Sequence, residues 1–450
     1  MNNNKTTLLS FIVLGVLSCS IVHAAVSPAE AQKLKSELTP LGGERAGNAD
    51  GTIPTWTGGQ KTALPAGKTN RPPLFNPDEK ALLKIDSSNV DLYKDKLSEG
   101  EQALLKNIPG YAINVYPTHR SALAPEASYE RVFKNATTTK MDDKELISDW
   151  NGSIPFPIPQ SGSEAMANTQ FAFRGIDVQT TSSVYVVNGS APVLATSSTA
   201  LETMPGDYPP GREDPFKGQT RYAVLVETKA PAYQAGEKIL GLIDKQLNAV
   251  AQAWTYLPGQ RRLRRTPNVQ YDVPSPFTSG VTNYDEQNGF QGSIDRYDWK
   301  IVGKKELYIP YNNNNFLNAI GLDQVLKPNS ANPDLMRWEL HRTWVIEGNL
   351  KEGQRHVVPK RRVYVDEDSW QIVLADHWDA KGSFWKATQV LSYINPDVPG
   401  MIVATNFVYN VQSKSYAAFN VLSEKKDGYT YREVPATTFS PRSLEASGVR

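Results

Sequence analysis

Trp338-Glu-Leu-His-Arg-Thr-Trp-Val-Ile-Glu347 opens a stretch, running to Tyr393, that decides the fold. Every second residue gives Trp338, Leu340, Arg342, Trp344 and Ile346. The same count through Trp370-Gln-Ile-Val-Leu-Ala-Asp-His-Trp378 gives Trp370, Ile372, Leu374, Asp376 and Trp378. Alternation of period two with aromatic and β-branched residues marks a half-buried strand. The stretch reads as consecutive strands joined by turns at Asp366-Glu-Asp-Ser369 and Asp379-Ala-Lys-Gly382, where the Gly can take positive φ. The expectation is a large curled antiparallel sheet with an aromatic-rich concave face. Such a face can close a core or hold an apolar ligand.

From Thr169 onward the chain reads mainly as β, with candidate strands at 171–177, 183–187, 221–227, 238–243, 253–256, 260–265, 299–302, 306–309, 401–410 and 416–421. Many strands and few helices exclude a doubly wound fold. The class is mainly β (α+β), a large curled antiparallel sheet or half-barrel with few covering helices. Residues 25–168 read as an N-terminal helix and a loop-rich wrapping segment. Ser27-Pro-Ala-Glu30 is a capping box that starts a helix, and short helices are expected at 78–83, 99–106 and 142–149. Residues 169–450 form the sheet domain, continuous with that segment.

Residues 1–24 have the pattern of a secretory signal: Lys5, an apolar run from Leu8 to Leu17, and Val22-His-Ala24 as cleavage site. Val16-Leu-Ser-Cys19 also resembles a lipoprotein cleavage box with Cys19 as the lipidated residue. Cleavage at Ala24 would leave 426 residues with 47 basic and 47 acidic side chains, because Lys5 is the one charge lost. This balance argues against a nucleic-acid partner. The periplasm is the expected compartment, and no later apolar run reaches membrane-spanning length.

The chemistry-bearing motifs are few. There is no Gly-x-Ser-x-Gly elbow, no His-Glu-x-x-His and no Cys cluster, so no catalytic residue, metal or cofactor is assigned. Asp366-Glu-Asp368 has the carboxylates for a hard cation, but reads as a solvated turn. Arg261-Arg-Leu-Arg-Arg265 is the sharpest charged run. On a strand, Arg262 and Arg264 share one face and could meet an anionic group. Arg342 and Asp376 interrupt the aromatic faces, either pairing with each other or a neighbour or contacting a ligand. The candidate ligand-binding set is Trp338, Arg342, Trp344, Trp370, Asp376, Trp378, Trp385, Arg262 and Arg264.

Five runs carry a resemblance: Leu38–Gly59, Trp254–Pro267, Asp295–Tyr311, Asn332–Arg342 and Lys360–Trp370. Together they resemble the domain-of-unknown-function family numbered 1329, secreted proteins of Gram-negative bacteria. The resemblance covers nearly the whole expected mature chain. It implies a lipoprotein-carrier-like half-barrel, and partners among outer-membrane β-barrels and export pumps. The segment Ser163–Gln170 departs from the aromatic or His residues that members carry there. The expected function is a non-catalytic periplasmic binding or carrier protein for a lipid or other apolar small molecule. The alternatives are an envelope hydrolase acting on an ester or glycan, and a scaffold partner of an outer-membrane β-barrel.

Overall fold

The computed structural model describes residues 25–266, 271–278 and 280–447. The expected signal peptide, its cleavage site and Cys19 lie outside the described residues. The strands are β1 Leu83–Ile85, β2 Ile113–Val115, β3 Lys140–Met141, β4 Ile147–Ser148, β5 Asp177–Val187 and β6 Val193–Thr203. They continue as β7 Thr220–Ala230, β8 Lys238–Asp244, β9 Gln252–Leu257, β10 Arg262–Arg265, β11 Tyr297–Pro310 and β12 Trp338–Leu350. The last six are β13 Lys360–Asp366, β14 Ile372–Trp378, β15 Phe384–Asn395, β16 Gly400–Asn410, β17 Ser415–Val421 and β18 Gly428–Tyr431. The longer helices before the main sheet are α1 Pro28–Ala31, α2 Glu99–Asn107, α3 Glu126–Thr138 and α4 Gly162–Phe171. A short helix, Pro441–Ser447, follows the last strand.

All strands but β3 and β4 belong to one 16-stranded sheet in the order β1-β2-β12-β13-β14-β15-β16-β17-β5-β6-β7-β8-β9-β10, with β11 beside β12 and β18 beside β5. Its pairings are antiparallel apart from a parallel bridge between Trp338 and Val115. The fold is mostly β with few helices, and the sheet is open rather than closed on itself.

Several elements differ from the sequence reading for local reasons. Phe171–Asp177 is the end of α4 and an extended link, because Ser161 caps a helix by accepting a hydrogen bond from the Glu164 amide at 3.2 Å. Residues 142–149 form the β3–β4 hairpin, where the Asp142 carboxylate accepts from Lys144 and Leu146 amides. Residues 78–83 are not helical and lead into β1. The two short strands expected at 299–302 and 306–309 are one strand, β11, carried through a bulge between Ile301 and Gly303. The Ser/Thr-rich β6 has little apolar signal and was not anticipated.

The strands of the opening stretch are buried on both faces rather than half-buried. All seven residues of β14 are enclosed. Helix α2 packs on β14 and β15, and α4 packs on β11 and β12. Two cores result. One gathers Leu104, Tyr111, Trp338, Val345, Tyr364 and Leu374. The other gathers Met166, Trp299, Ile346, Val363, Trp370 and Ile372.

A bulge breaks the expected alternation. Tyr364 pairs with Leu374 and Val365 with Ile372, so Val373 is the extra residue. Ile372 therefore joins the core under α4, while Leu374 joins the core under α2. Trp370 sits in the preceding turn with φ 59 and stacks on Trp344 at 5.7 Å.

The Asp366–Ser369 turn is buried, not solvated. Arg120 spans Asp368 with both carboxylate oxygens, at 2.8 and 2.6 Å, and Arg342 reaches Glu367 at 3.1 Å. Lys304 adds a contact to Glu367 at 2.9 Å. The same Arg120 donates to the carbonyls of Glu44, Arg45, Ala46 and Pro54. One guanidinium thus ties the wrapping segment to the sheet. Removing a single partner of a buried pair leaves an uncompensated charge. Arg120→Met is expected to cost about 3–5 kcal/mol in urea unfolding; a loss below about 1 kcal/mol would show that this tie is dispensable.

Candidate functional site

The sequence-derived set does not converge on one site. Trp338 and Trp370 are fully enclosed in separate cores. Trp344 stacks on Trp370, whereas Trp378 lies on the α2 side against Phe384, with Lys360 and Arg362 over its ring. Trp385 is half-buried and falls at the irregularity where His377 pairs with Lys386 and Trp378 with Phe384. Arg342 and Asp376 do not meet. Arg342 binds Glu367 and the Ala46 carbonyl, at 3.1 and 2.9 Å.

Asp376 accepts from Tyr364 Oη at 2.9 Å and from the Gly100 amide of α2 at 3.1 Å. Next to it, Glu101 accepts from Gln389 at 3.0 Å and from the Tyr111 hydroxyl. Burial pushes both carboxyls up to about 7. Asp366 is also pushed up to about 7, by burial first and the Asp368 charge second.

His341, Asp366 and Asp368 bring ligand atoms within 4.8 Å of one another. Arg120 already engages both oxygens of Asp368, so the charge there is met from within the chain. His119, His341 and His356 each pair with a carboxylate, at 2.9, 3.1 and 3.0 Å. Among the described residues no Ser or Thr hydroxyl is hydrogen-bonded to an imidazole, the arrangement a nucleophilic triad needs. Two clefts flank the wrapping segment, of about 370 and 710 Å³. The larger is lined by charges of both signs, including Lys94, Asp95, Lys96, Glu99 and Arg362, a poor surface for an apolar chain.

The other half of the sheet is built differently. On one face of β7–β10, Ala223, Leu240 and Tyr256 pack with Val434, Phe439 and Leu444 at the C-terminal end. The opposite face carries Val224 and Val226 on β7 and Ile239 and Ile243 on β8. These four are partly buried and belong to none of the packed clusters among the described residues.

Register makes them a continuous strip, since opposed residues leave a sheet on the same side. Ala200, Val226, Ile239, Thr255 and Arg264 are opposed in a row across β6–β10, and Glu202, Val224, Gly241 and Ala253 form the next row. Gly241 keeps the strip flat, for a Cβ there would stand 3.2 Å from Val224 Cγ1. Arg262 and Arg264 lie exposed on this face at the outermost strand.

At the inner end of the strip stand Arg174, Glu202, Arg221 and Tyr222. A bulge between Thr220 and Tyr222 re-aims Arg221. Its Nη1 and Nη2 donate to Gln170 at 3.2 Å each, and its Nε has no partner. Burial lowers Arg174 and takes Arg221 down to about 10, with the neighbouring guanidinium adding to the shift of Arg221. Burial raises Glu202, and the neighbouring Tyr222 hydroxyl and Arg174 oppose that rise. Arg174, Glu202 and Tyr222 nevertheless keep part of their surface accessible. These residues were missed from sequence, although the run Lys238-Ile-Leu-Gly-Leu-Ile243 is apolar on both faces and so announces a second apolar surface.

A family model described as protein of unknown function, DUF1329, matches residues 84–445. The uncharacterized protein PA3922 of Pseudomonas aeruginosa is 39% identical over 465 residues, covering 99% of this chain and 100% of that protein. Among solved structures, an outer membrane lipoprotein-sorting protein domain from Vibrio parahaemolyticus aligns with a TM-score of 0.40 at 13% identity, over 60% of this chain and 92% of its own. A DUF1329 protein from Desulfovibrio piger gives 0.39 at 14%, with the same coverage of both chains. A LolA superfamily protein from Nitrosomonas europaea gives 0.35 at 11%, over 63% and 98%.

Two outcomes follow from the buried carboxyls. In Gly100→Ala the new Cβ would lie 2.2 Å from Asp376 Oδ1. That replacement ordinarily favours a helix, but here it should lower the melting temperature by several degrees; an unchanged or raised value would refute the close contact. The second outcome concerns pH. Asp376, Glu101 and Asp366 hold protons in the folded chain that the unfolded chain releases near pH 4, so their stabilisation is lost as pH rises towards 7. Buried His377, held neutral by burial, opposes this by weakening the fold below its ordinary range. Three carboxyls outweigh one imidazole, so the melting temperature should be higher at pH 5.5 than at pH 8. Asp376→Asn should reduce that difference, and an equal slope in this variant would remove Asp376 as a source.

Proposed function

The chain belongs to the DUF1329 family, and from that premise we propose that it is a non-catalytic carrier of a lipid-like amphiphile in the cell envelope. The observation that carries this reading is the part-buried strip of Val224, Val226, Ile239 and Ile243, on strands whose opposite face is packed by the C-terminal residues. Contiguous apolar surface left uncovered marks a binding surface. A groove of apolar side chains with a few polar anchors is the usual form of a site for such a ligand. Arg262 and Arg264 stand at its outer edge.

The secretory pattern of residues 1–24 fits a periplasmic protein, with an outer-membrane β-barrel or an export pump as the receiver. Among the described residues no helix is long and apolar enough to cross a membrane.

Native mass spectrometry of protein purified from the periplasm should reveal a co-purifying amphiphile. Val226→Glu and Ile239→Glu should each weaken binding of the fluorescent probe N-phenylnaphthylamine at least tenfold while leaving the melting temperature within a few degrees. Absence of any amphiphile, together with probe binding indifferent to both variants, would overturn the reading.

A further inference from the structure

The inner end of the strip has a chemistry of its own. Arg221 is 8% exposed, and its Nε faces no acceptor. Arg174 stands just ahead of β5 and is close enough to Arg221, Glu202 and Tyr222 to act on their ionisation. Its guanidinium makes no hydrogen bond or ion pair among the described residues, and the residue keeps part of its surface accessible. Glu202 is the nearby acid, engaged with Tyr222, and Asp244 acts on Arg221 more weakly than Arg174 does.

Two enclosed guanidiniums side by side repel each other, and donors without acceptors cost free energy when buried. Both costs fall when an anion with several acceptor oxygens enters, because Arg matches carboxylate and phosphate geometry. Arg221, turned out of register by a bulge, gives its two Nη donors to Gln170 and lies over the Phe171 ring at 5.7 Å, which leaves its Nε over; Arg174 precedes its strand. The strip of Val224, Val226, Ile239 and Ile243 begins beside them, so head-group chemistry and chain chemistry are contiguous.

We propose that Arg174 and Arg221 form the head-group site of the carried amphiphile, and that this head is a carboxylate or a phosphate monoester. This rests on the carrier reading above. The ligand lies head inward, with its chain along the strip towards Arg262 and Arg264.

The test compares dodecanoate, dodecyl phosphate and dodecan-1-ol, equal in chain length, by displacement of N-phenylnaphthylamine from the full chain. The wild type should bind at least one of the two anions tenfold more tightly than the alcohol, and the tighter anion identifies the head. Arg174→Gln should lower that affinity at least tenfold while changing the alcohol less than twofold. Arg174→Lys should restore part of the preference. Arg174 makes no hydrogen bond or ion pair among the described residues, so these variants should melt within a few degrees of the wild type. Equal affinity for all three compounds, or a preference that survives Arg174→Gln, overturns the head-group site and leaves the carrier reading standing. Failure of all three to bind overturns both.

Discussion

The arrangement depends on a buried ion cluster at the Asp366–Ser369 turn. Asp366, Glu367 and Asp368 are nearly inaccessible, and Arg120, Arg342 and Lys304 are folded over them. Such a cluster is a poor source of net stability, since desolvation consumes most of the Coulombic gain. It is intolerant of misplacement, however, because any missing partner strands a charge. Arg120 comes from the wrapping segment and Asp368 from the sheet. The cluster therefore fixes where residues 44–54 and 120 lie, and through them how that side of the sheet is closed.

Closing one half of the sheet on both faces has a consequence for the other half. Around β12–β15 the wrapping segment, α2 and α4 fill the surfaces that a carrier would need open, and the Trp residues there serve packing. Around β7–β10 cover from the C-terminal residues reaches a single face. Burying apolar surface is worth roughly 25 cal/mol per Å², so four β-branched side chains left half-open forgo a gain that any covering element would supply. Their presence on one face of neighbouring strands, with Val226 opposite Ile239, fits the proposal that a ligand covers them.

The mainly β class and most strand positions were legible because period-two patterning is local. The side to which each side chain points was not. Val373, one inserted residue, moves Leu374, Asp376 and Trp378 to the opposite face from Ile372, and a bulge leaves no mark in the alternation of a fully buried strand. The partners of Arg342 and Asp376 were equally hidden, because each is reached across a large sequence separation: Ala46 for one, Gly100 for the other. The Asp366–Ser369 turn looked solvated because its composition is that of a surface turn; the compensating cations lie far away in sequence. By contrast, Ser161-Gly-Ser-Glu164 was a readable capping signal for α4, and the two-faced apolar run of β8 was a readable sign of the second apolar face.

Charge placement separates the two ends of the apolar strip on β7 and β8. Arg262 and Arg264 are exposed, so water already serves their donors and screening weakens any attraction they exert beyond about 10 Å. Arg221 is buried and Arg174 partly so, and there the effective dielectric is lower and a unit charge acts more strongly at equal distance. An anion therefore gains more at the inner end, provided its own desolvation is met by several donors at once. The outer pair is better suited to guiding a negatively charged ligand towards the opening. In the proposed binding mode the chain keeps its apolar part on Val226 and Ile239, which sit opposite each other on β7 and β8.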